Sequence, residues 1–187
     1  MDGYCRNTEF SIGYRLRWGL LFLCISWGQT TWASSVPTPM ELAQINYEWN
    51  RYPYRSDLEN YGLSDYWATP TELKIQGGDC EDFAIAKYWH LRTLGVAAEH
   101  LRLAIVKLWT NNKIVDHMVL LVENERQQVW VLDNISNQIQ SIESRGDLQV
   151  ILEFNEQNLW RFQQPVAMEH LWMSEEFKRF YSLIKSS

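Results

Sequence analysis

The chain has 187 residues, 17 lysines and arginines against 23 aspartates and glutamates, and a net charge of −6. That length fits one domain with a peripheral extension. The acidic balance argues against nucleic acid as a partner, because a phosphate backbone calls for a basic face.

Residues 1–33 read as a secretory signal that lies outside the folded domain. Arg6, Arg15 and Arg17 precede the apolar run "WGLLFLCISW" (18–27), which falls short of the roughly twenty apolar residues that span a bilayer. Thr31, Trp32 and Ala33 follow, with small residues at the cleavage positions. The alternative is an uncleaved N-terminal anchor. Cys24 would fit a lipoprotein signal, but Leu23 stands where such a site needs a small residue. Removing the segment takes three arginines, Asp2 and Glu9, so the exported domain, 34–187, is one unit more acidic. It also takes Cys5 and Cys24 and leaves Cys80 alone. Exported domains normally use cysteines in pairs. A lone thiol there is either an inert core residue, the commoner case by frequency, or a working nucleophile.

"SSVPTP" (34–39) reads as a short extended leader. Met40, Leu42, Ile45 and Trp49 then predict a helix that ends near Pro53. "DLENYGLSDYW" (57–67) is ambiguous, with one short helix at most. Thr69, Pro70 and Glu72 form a helix start, with Thr as N-cap, Pro in the first turn and Glu in the capping-box position. That helix stops at Gly77 and Gly78. From 80 to 94 the pattern is helical again: Ala84, Tyr88 and Leu91 share a stripe, with Ile85 and Trp89 beside it, and Gly95 is the stop. The period then changes. "LRLAIVKLW" (101–109), "IVDHMVLLVE" (114–123) and "VWVLD" (129–133) predict an antiparallel meander, joined at Asn111-Asn112 and at the polar turn "NERQ". "QVILEF" (149–154) and "NLWRF" (158–162) add strands, and "EEFKRFYSLI" (175–184) a terminal helix. The class is α+β.

Three residues stand out for chemistry. Cys80 sits at a helix N-terminus, where the dipole and unpaired N–H groups favour a thiolate and can serve an oxyanion. The glycines before it let the backbone turn sharply and approach a substrate. Yet "GGDCED" (77–82) surrounds the thiol with Asp79, Glu81 and Asp82, and negative neighbours oppose a thiolate. His117 lies mid-strand in an apolar run, where a histidine is more often structural than catalytic. A hairpin turn centred on Glu125 pairs Leu120 with Trp130 and Met118 with Leu132, and sets His117 opposite Asp133, within reach of a carboxylate that orients an imidazole. A shift of half a residue would set it opposite Asn134 instead. Asp133 also has a plain reading as a strand-end turn residue. His90, His100 and His170 have no such setting.

"GGDCEDFAIAKYWHLRTLGV", "DHMVLLVE" and "VLDNI", in this order and spacing, together with "YWATPTEL" (66–73), resemble the bacterial transglutaminase-like cysteine peptidases, and among them the LapG-type periplasmic adhesin proteases. The resemblance runs from about Tyr66 to Ile135 and is looser outside it. It implies a papain-like, transglutaminase-like α+β core, with Cys80 as nucleophile, His117 as general base and Asp133 as its orienter. It further implies a periplasmic, calcium-dependent endopeptidase that cleaves the N-terminal region of a giant surface adhesin and releases cells from a biofilm. An inner-membrane receptor sensing cyclic-di-GMP would sequester it. Asp79 and Glu81 match the family's calcium residues, and Asp82 is a third candidate. A bound Ca²⁺ would reverse the local field around Cys80. Without the metal, Asp79 caps the helix and the other two complement its dipole. A peptide- or receptor-binding module on the same fold is the reading from another class; acyl transfer to an amine uses the same thioester chemistry.

Overall fold

The computed structural model describes residues 36–111, 113–161, 164–167 and 175–185. Residues 1–33, expected to form a secretory signal, with Cys5 and Cys24, and His170 lie outside them. Among the described residues no helix is long and apolar enough to cross a membrane.

Helix α1 spans Pro39–Asn50. Thr38 and Glu41 close a capping box at its start, and Leu42, Ile45 and Trp49 face inward. Met40, expected on the same stripe, is 80% exposed. Helix α2, Asp57–Tyr61, ends on Gly62 in the left-handed region. Helix α3, Pro70–Gln76, has the expected box: the Glu72 amide donates to Thr69 Oγ1 (3.2 Å) and the Thr69 amide to Glu72 Oε2 (2.7 Å). Helix α4 runs from Cys80 to Thr93, and Gly95 just beyond it takes φ +87°. Its buried residues reach all round the helix, from Asp82 through Tyr88 to Leu91, so it is the central rod of the molecule.

The strands are β1 (Leu101–Thr110), β2 (Lys113–Glu123), β3 (Val129–Leu132), β4 (Gln140–Ser141), β5 (Leu148–Phe154), β6 (Leu159–Arg161) and β7 (Gln164–Val166). They form one antiparallel sheet in the order β4-β3-β2-β1-β5-β6-β7. Alternation splits its side chains. Leu101, Leu103, Met118, Leu120, Val122 and Leu132 pack on the helix side, in one core with Leu42, Leu73, Tyr88 and Leu91. Ala104, Val106, Val119, Leu121 and Val131 form a smaller core on the other face. The terminal helix α5, Glu175–Lys185, adds Phe177, Phe180 and Ile184 to the first core. Its Arg179 donates to both oxygens of Glu72 at 2.8 Å, tying the end of the chain to the α3 cap.

The hairpin register differs from the expected one by a full residue. Leu120 pairs with Leu132 and Glu123 with Val129, so the turn is centred on Arg126, not Glu125. The Gln127 amide donates to the Asn124 carbonyl, and Gln127 itself takes φ +61°, which makes a turn plus a bulge residue. The added residue comes from Gln127 adopting a conformation that sequence usually signals with glycine.

Candidate active site

The approach to Cys80 is built by backbone packing. Gly77 takes φ +83°, and a Cβ there would lie 2.4 Å from the Pro53 carbonyl oxygen. The Gly78 amide donates to that same oxygen (3.3 Å), and the Arg55 amide donates to the Gly78 carbonyl (2.9 Å). A Cβ on Gly78 would lie 2.3 Å from Asp82 Oδ2. The glycines thus make room for the chain's own 53–55 segment and for Asp82, not for a substrate as expected. Asp79 is the N-cap residue in extended conformation. Asp82, fully buried at the third helical position, accepts from the amides of Asp79 (3.1 Å) and Ala68 (2.6 Å). It therefore splices α4 to the strand-like segment ahead of α3.

Cys80 is half-buried, and its thiol donates to Glu81 Oε2 at 3.1 Å. Burial first, then the Glu81 charge and this hydrogen bond, push the thiol up; the Met118 backbone N–H opposes them. Cys80 and His117 line one cavity of about 280 Å³ with Ser64, Trp67, Glu81 and Asp116. By strict alternation His117 points to the face away from α4. The two meet because the sulfur lies at the edge of β2 rather than under the sheet. β3 ends opposite Leu120, so this part of β2 has no strand on that side.

His117 is 7% exposed and its Nε2 lies 2.8 Å from Asp133 Oδ1. The corrected register sets Asp133 one diagonal step from His117 rather than opposite it. A full-residue shift preserves the face, which is why the contact survives; a half-residue shift would have lost it. With Nε2 facing the carboxylate, Nδ1 is the ring nitrogen left for a proton donor in the cavity. Asp133 Oδ1 also accepts from the Ile135 amide (3.1 Å), and Oδ2 accepts from Arg145 Nη1 (3.0 Å). Burial alone would raise the Asp133 carboxyl; the His117 ring, the Ile135 N–H and the Arg145 charge outweigh it and hold the group below the usual range. Arg145 is itself fixed by two further bonds to Asp147, at 2.8 and 2.9 Å. The Asp133 carbonyl is held from α1 by Asn50 Nδ2 (2.9 Å). Sequence reading missed Arg145: it sits twelve residues downstream in an irregular segment, and only its contact with Asp133 distinguishes it.

The acidic side of the cavity is larger than "GGDCED". Carboxylate oxygens of Asp57, Asp65 and Glu81 lie within 4.8 Å of one another, as do those of Asp57, Asp79 and Asp82, and Cys80 Sγ groups likewise with Asp79 and Glu81. Asp57 and Asp79 each keep one buried oxygen, Oδ1, with no hydrogen-bond partner among the described residues. Burial and then the Asp79 charge raise Asp57 to about 6; burial, then a hydrogen bond with Glu81 and the Glu81 charge, raise Asp79 to about 8. Asp82 is raised to about 7, again chiefly by burial. A cluster of carboxylate oxygens, two of them without a hydrogen-bond partner among the described residues, has the donor chemistry of a hard-cation site such as one for Ca²⁺. Asp57 and Asp65 lacked a sequence signal, since the turn at Gly62 brings them to Glu81 from across an ambiguous segment. Asp82 has both oxygens engaged by backbone N–H groups, which marks it as a brace first. His90, elsewhere on α4, accepts from Trp49 Nε1 (3.0 Å).

Residues 28–160 match the model of a family described as bacterial transglutaminase-like cysteine proteinase. A search of curated proteins finds no match. Among solved structures the chain is similar to Legionella pneumophila LapG, with 29% identity, a TM-score of 0.65, and coverage of 79% of this chain and 78% of that one. A calcium-bound form of the same protein matches with 30% identity and a TM-score of 0.63, over 80% of each chain. An EGTA-treated form matches with 29% identity and a TM-score of 0.65, over 79% of this chain and 80% of that one. The α+β core, with a cysteine opening the central helix against an antiparallel sheet, is the papain-like one expected. The chain belongs to the bacterial transglutaminase-like cysteine proteinases.

Proposed function

We propose that this cysteine peptidase cuts a large surface adhesin in its N-terminal region, works in the periplasm, and requires calcium. The observation that carries the catalytic part is His117, held at 2.8 Å by a buried Asp133 in the cavity that Cys80 lines. In this reading His117 Nδ1 takes the Cys80 proton, and the sulfur attacks the scissile carbonyl carbon. His117 then protonates the leaving amine, and water attacks the thioester through the same base. Asp133 fixes the ring tautomer and stabilises the imidazolium without itself taking the proton.

Asp57, Asp65, Asp79 and Glu81 would hold Ca²⁺, which supplies positive charge that offsets their mutual repulsion and orders the loop before Cys80. The calcium-bound and EGTA-treated forms of the Legionella protein support that part. The resemblance supports the adhesin, the biofilm release and sequestration by an inner-membrane cyclic-di-GMP receptor.

The test is incubation of the protein lacking residues 1–33 with the N-terminal part of a co-occurring giant adhesin. Discrete cleavage in calcium, absent in EGTA and absent for Cys80→Ala, is the expected result. Calcium-dependent binding with no cleavage would instead favour the binding module, and amine incorporation without hydrolysis would favour acyl transfer.

A further inference from the structure

Resting on that reading of Cys80, we infer that the substrate segment following the scissile bond binds as an added antiparallel strand on the open edge of β2, from Met118 back to Ile114.

The backbone supplies the argument. Asn124 and Gln128 exchange a backbone bond across the β2–β3 hairpin (3.0 Å). In an antiparallel ladder, alternate residues turn both N–H and C=O to the same neighbour. Even-numbered residues of β2 therefore present their backbone groups to the β3 side. Val122 and Leu120 meet β3 there, opposite Trp130 and Leu132. β3 then ends, while β2 continues for seven more residues paired only to β1. The next even residue, Met118, confirms the direction, because its N–H faces the Cys80 sulfur. Asp116 and Ile114 follow in line. Their outward N–H and C=O groups have no backbone partner among the described residues.

This places four free backbone groups in a row about 14 Å long that starts at the nucleophile. A peptide antiparallel to β2 has its N-terminal end at Cys80, so the residues on this edge are those after the cut. Antiparallel pairing is favoured by the better hydrogen-bond geometry and by the rest of the sheet. The flanking side chains set the chemistry. Ile114 is 59% exposed and pairs with Trp109, itself 45% exposed, while Asp116 engages Lys107. An apolar or β-branched substrate residue would lie beside Ile114. The implied substrate is an extended, strand-prone linker, not a helix.

The test uses the calcium-loaded domain and two tethered probes. 3-Mercaptopropionyl-Val-Thr-Val-Thr amide, activated as its pyridyl disulfide, leaves its chain running from Cys80 in the post-scission direction. Acetyl-Thr-Val-Thr-Val-cysteamide runs the opposite way. Adduct formation is scored by mass and amide exchange by NMR. The first adduct should slow the Ile114 and Asp116 amides at least about tenfold, with a period of two: N-methylation of alternate probe residues should abolish the protection, and of the intervening ones should not. An adduct that leaves both amides unprotected overturns the inference alone. Protection only by the second probe overturns the direction. Failure of both probes to react would fell the reading of Cys80 as an accessible nucleophile, and this inference with it. As a second arm, Ile114→Pro removes an outward donor without touching the β1 ladder. It should raise KM for an unfolded polypeptide about three- to tenfold at unchanged kcat; an unchanged KM counts against the added strand.

Discussion

The two walls of the cavity differ in how completely they are bonded. On the sheet wall, both Asp133 oxygens are engaged, by His117 and Ile135 on one side and Arg145 on the other, and Arg145 is locked in turn by Asp147. On the loop wall, Asp57 and Asp79 keep buried oxygens without partners, and their carboxyl groups are raised well above the usual range. The sheet wall is complete with the chain's own residues. The loop wall gathers carboxylates whose mutual repulsion a bound cation would offset. One wall is thus set by folding alone, and the other is open to control.

The sharpest way to break this contrast is at the reacting atoms. Cys80→Ala should abolish cleavage, and His117→Ala should match it, a loss of at least about 10³-fold. Asp133→Asn should cost less than either. Circular dichroism should show all three folded. Cleavage by the alanine variant at the wild-type rate would remove the reading. Next comes Arg145→Met, which leaves the buried Asp133 Oδ2 without its partner. It should destabilise the domain by about 3–5 kcal/mol in urea titration, whether or not calcium is present. A calcium-dependent cost would mean that the walls are not separate.

Metal removal probes the other wall. EGTA should lower the melting temperature of the wild type, with a stabilisation of about 2.7 kcal/mol restored at calcium a hundredfold above its Kd. Asp79→Asn and Asp57→Asn should each lose the calcium response and, with one fewer repelling charge, melt no lower than the wild type in EGTA. Magnesium should substitute poorly, because it demands a tighter octahedral shell. A melting temperature indifferent to chelator would reduce the acids to helix caps.

The smallest effect concerns Lys87, fully buried on α4, whose Nζ has no hydrogen-bond partner among the described residues. Burial lowers it from 10.5 to about 7, against the pull of Asp133. Between those values the unfolded chain holds a proton that the folded one has released, so this group makes stability rise with pH from about 7 to about 10. Lys87→Met should remove that rise and gain about 1–3 kcal/mol near neutrality. Parallel pH profiles for the two proteins would refute it.

Much of the frame was legible because it depends on local rules. The Thr69 box, the Gly95 stop, the α4 stripe and the long strands follow from caps and periodicity. The two-residue β4 and three-residue β7 are too short to carry a period. The hairpin register turned on Gln127 adopting a positive φ, which no local residue announces. Cys80 and Asp133 stood out because each sits at the end of a regular element, and His117 because it interrupts an apolar strand. Asp57, Asp65 and Arg145 did not, since their meaning comes from where tertiary folding carries an irregular segment.

Gly78 has a wider consequence. A methyl group there would collide with the Asp82 carboxylate, which is pinned by the Asp79 and Ala68 amides and cannot swing aside. Residue 78 must therefore stay bare. Because the Asp82 Cβ would itself lie 2.8 Å from that methyl group, losing the carboxylate does not make room, and relatives should keep glycine at 78 whatever side chain stands at 82. In a deep mutational scan Gly78→Ala should be harmful both alone and in an Asp82→Ala background.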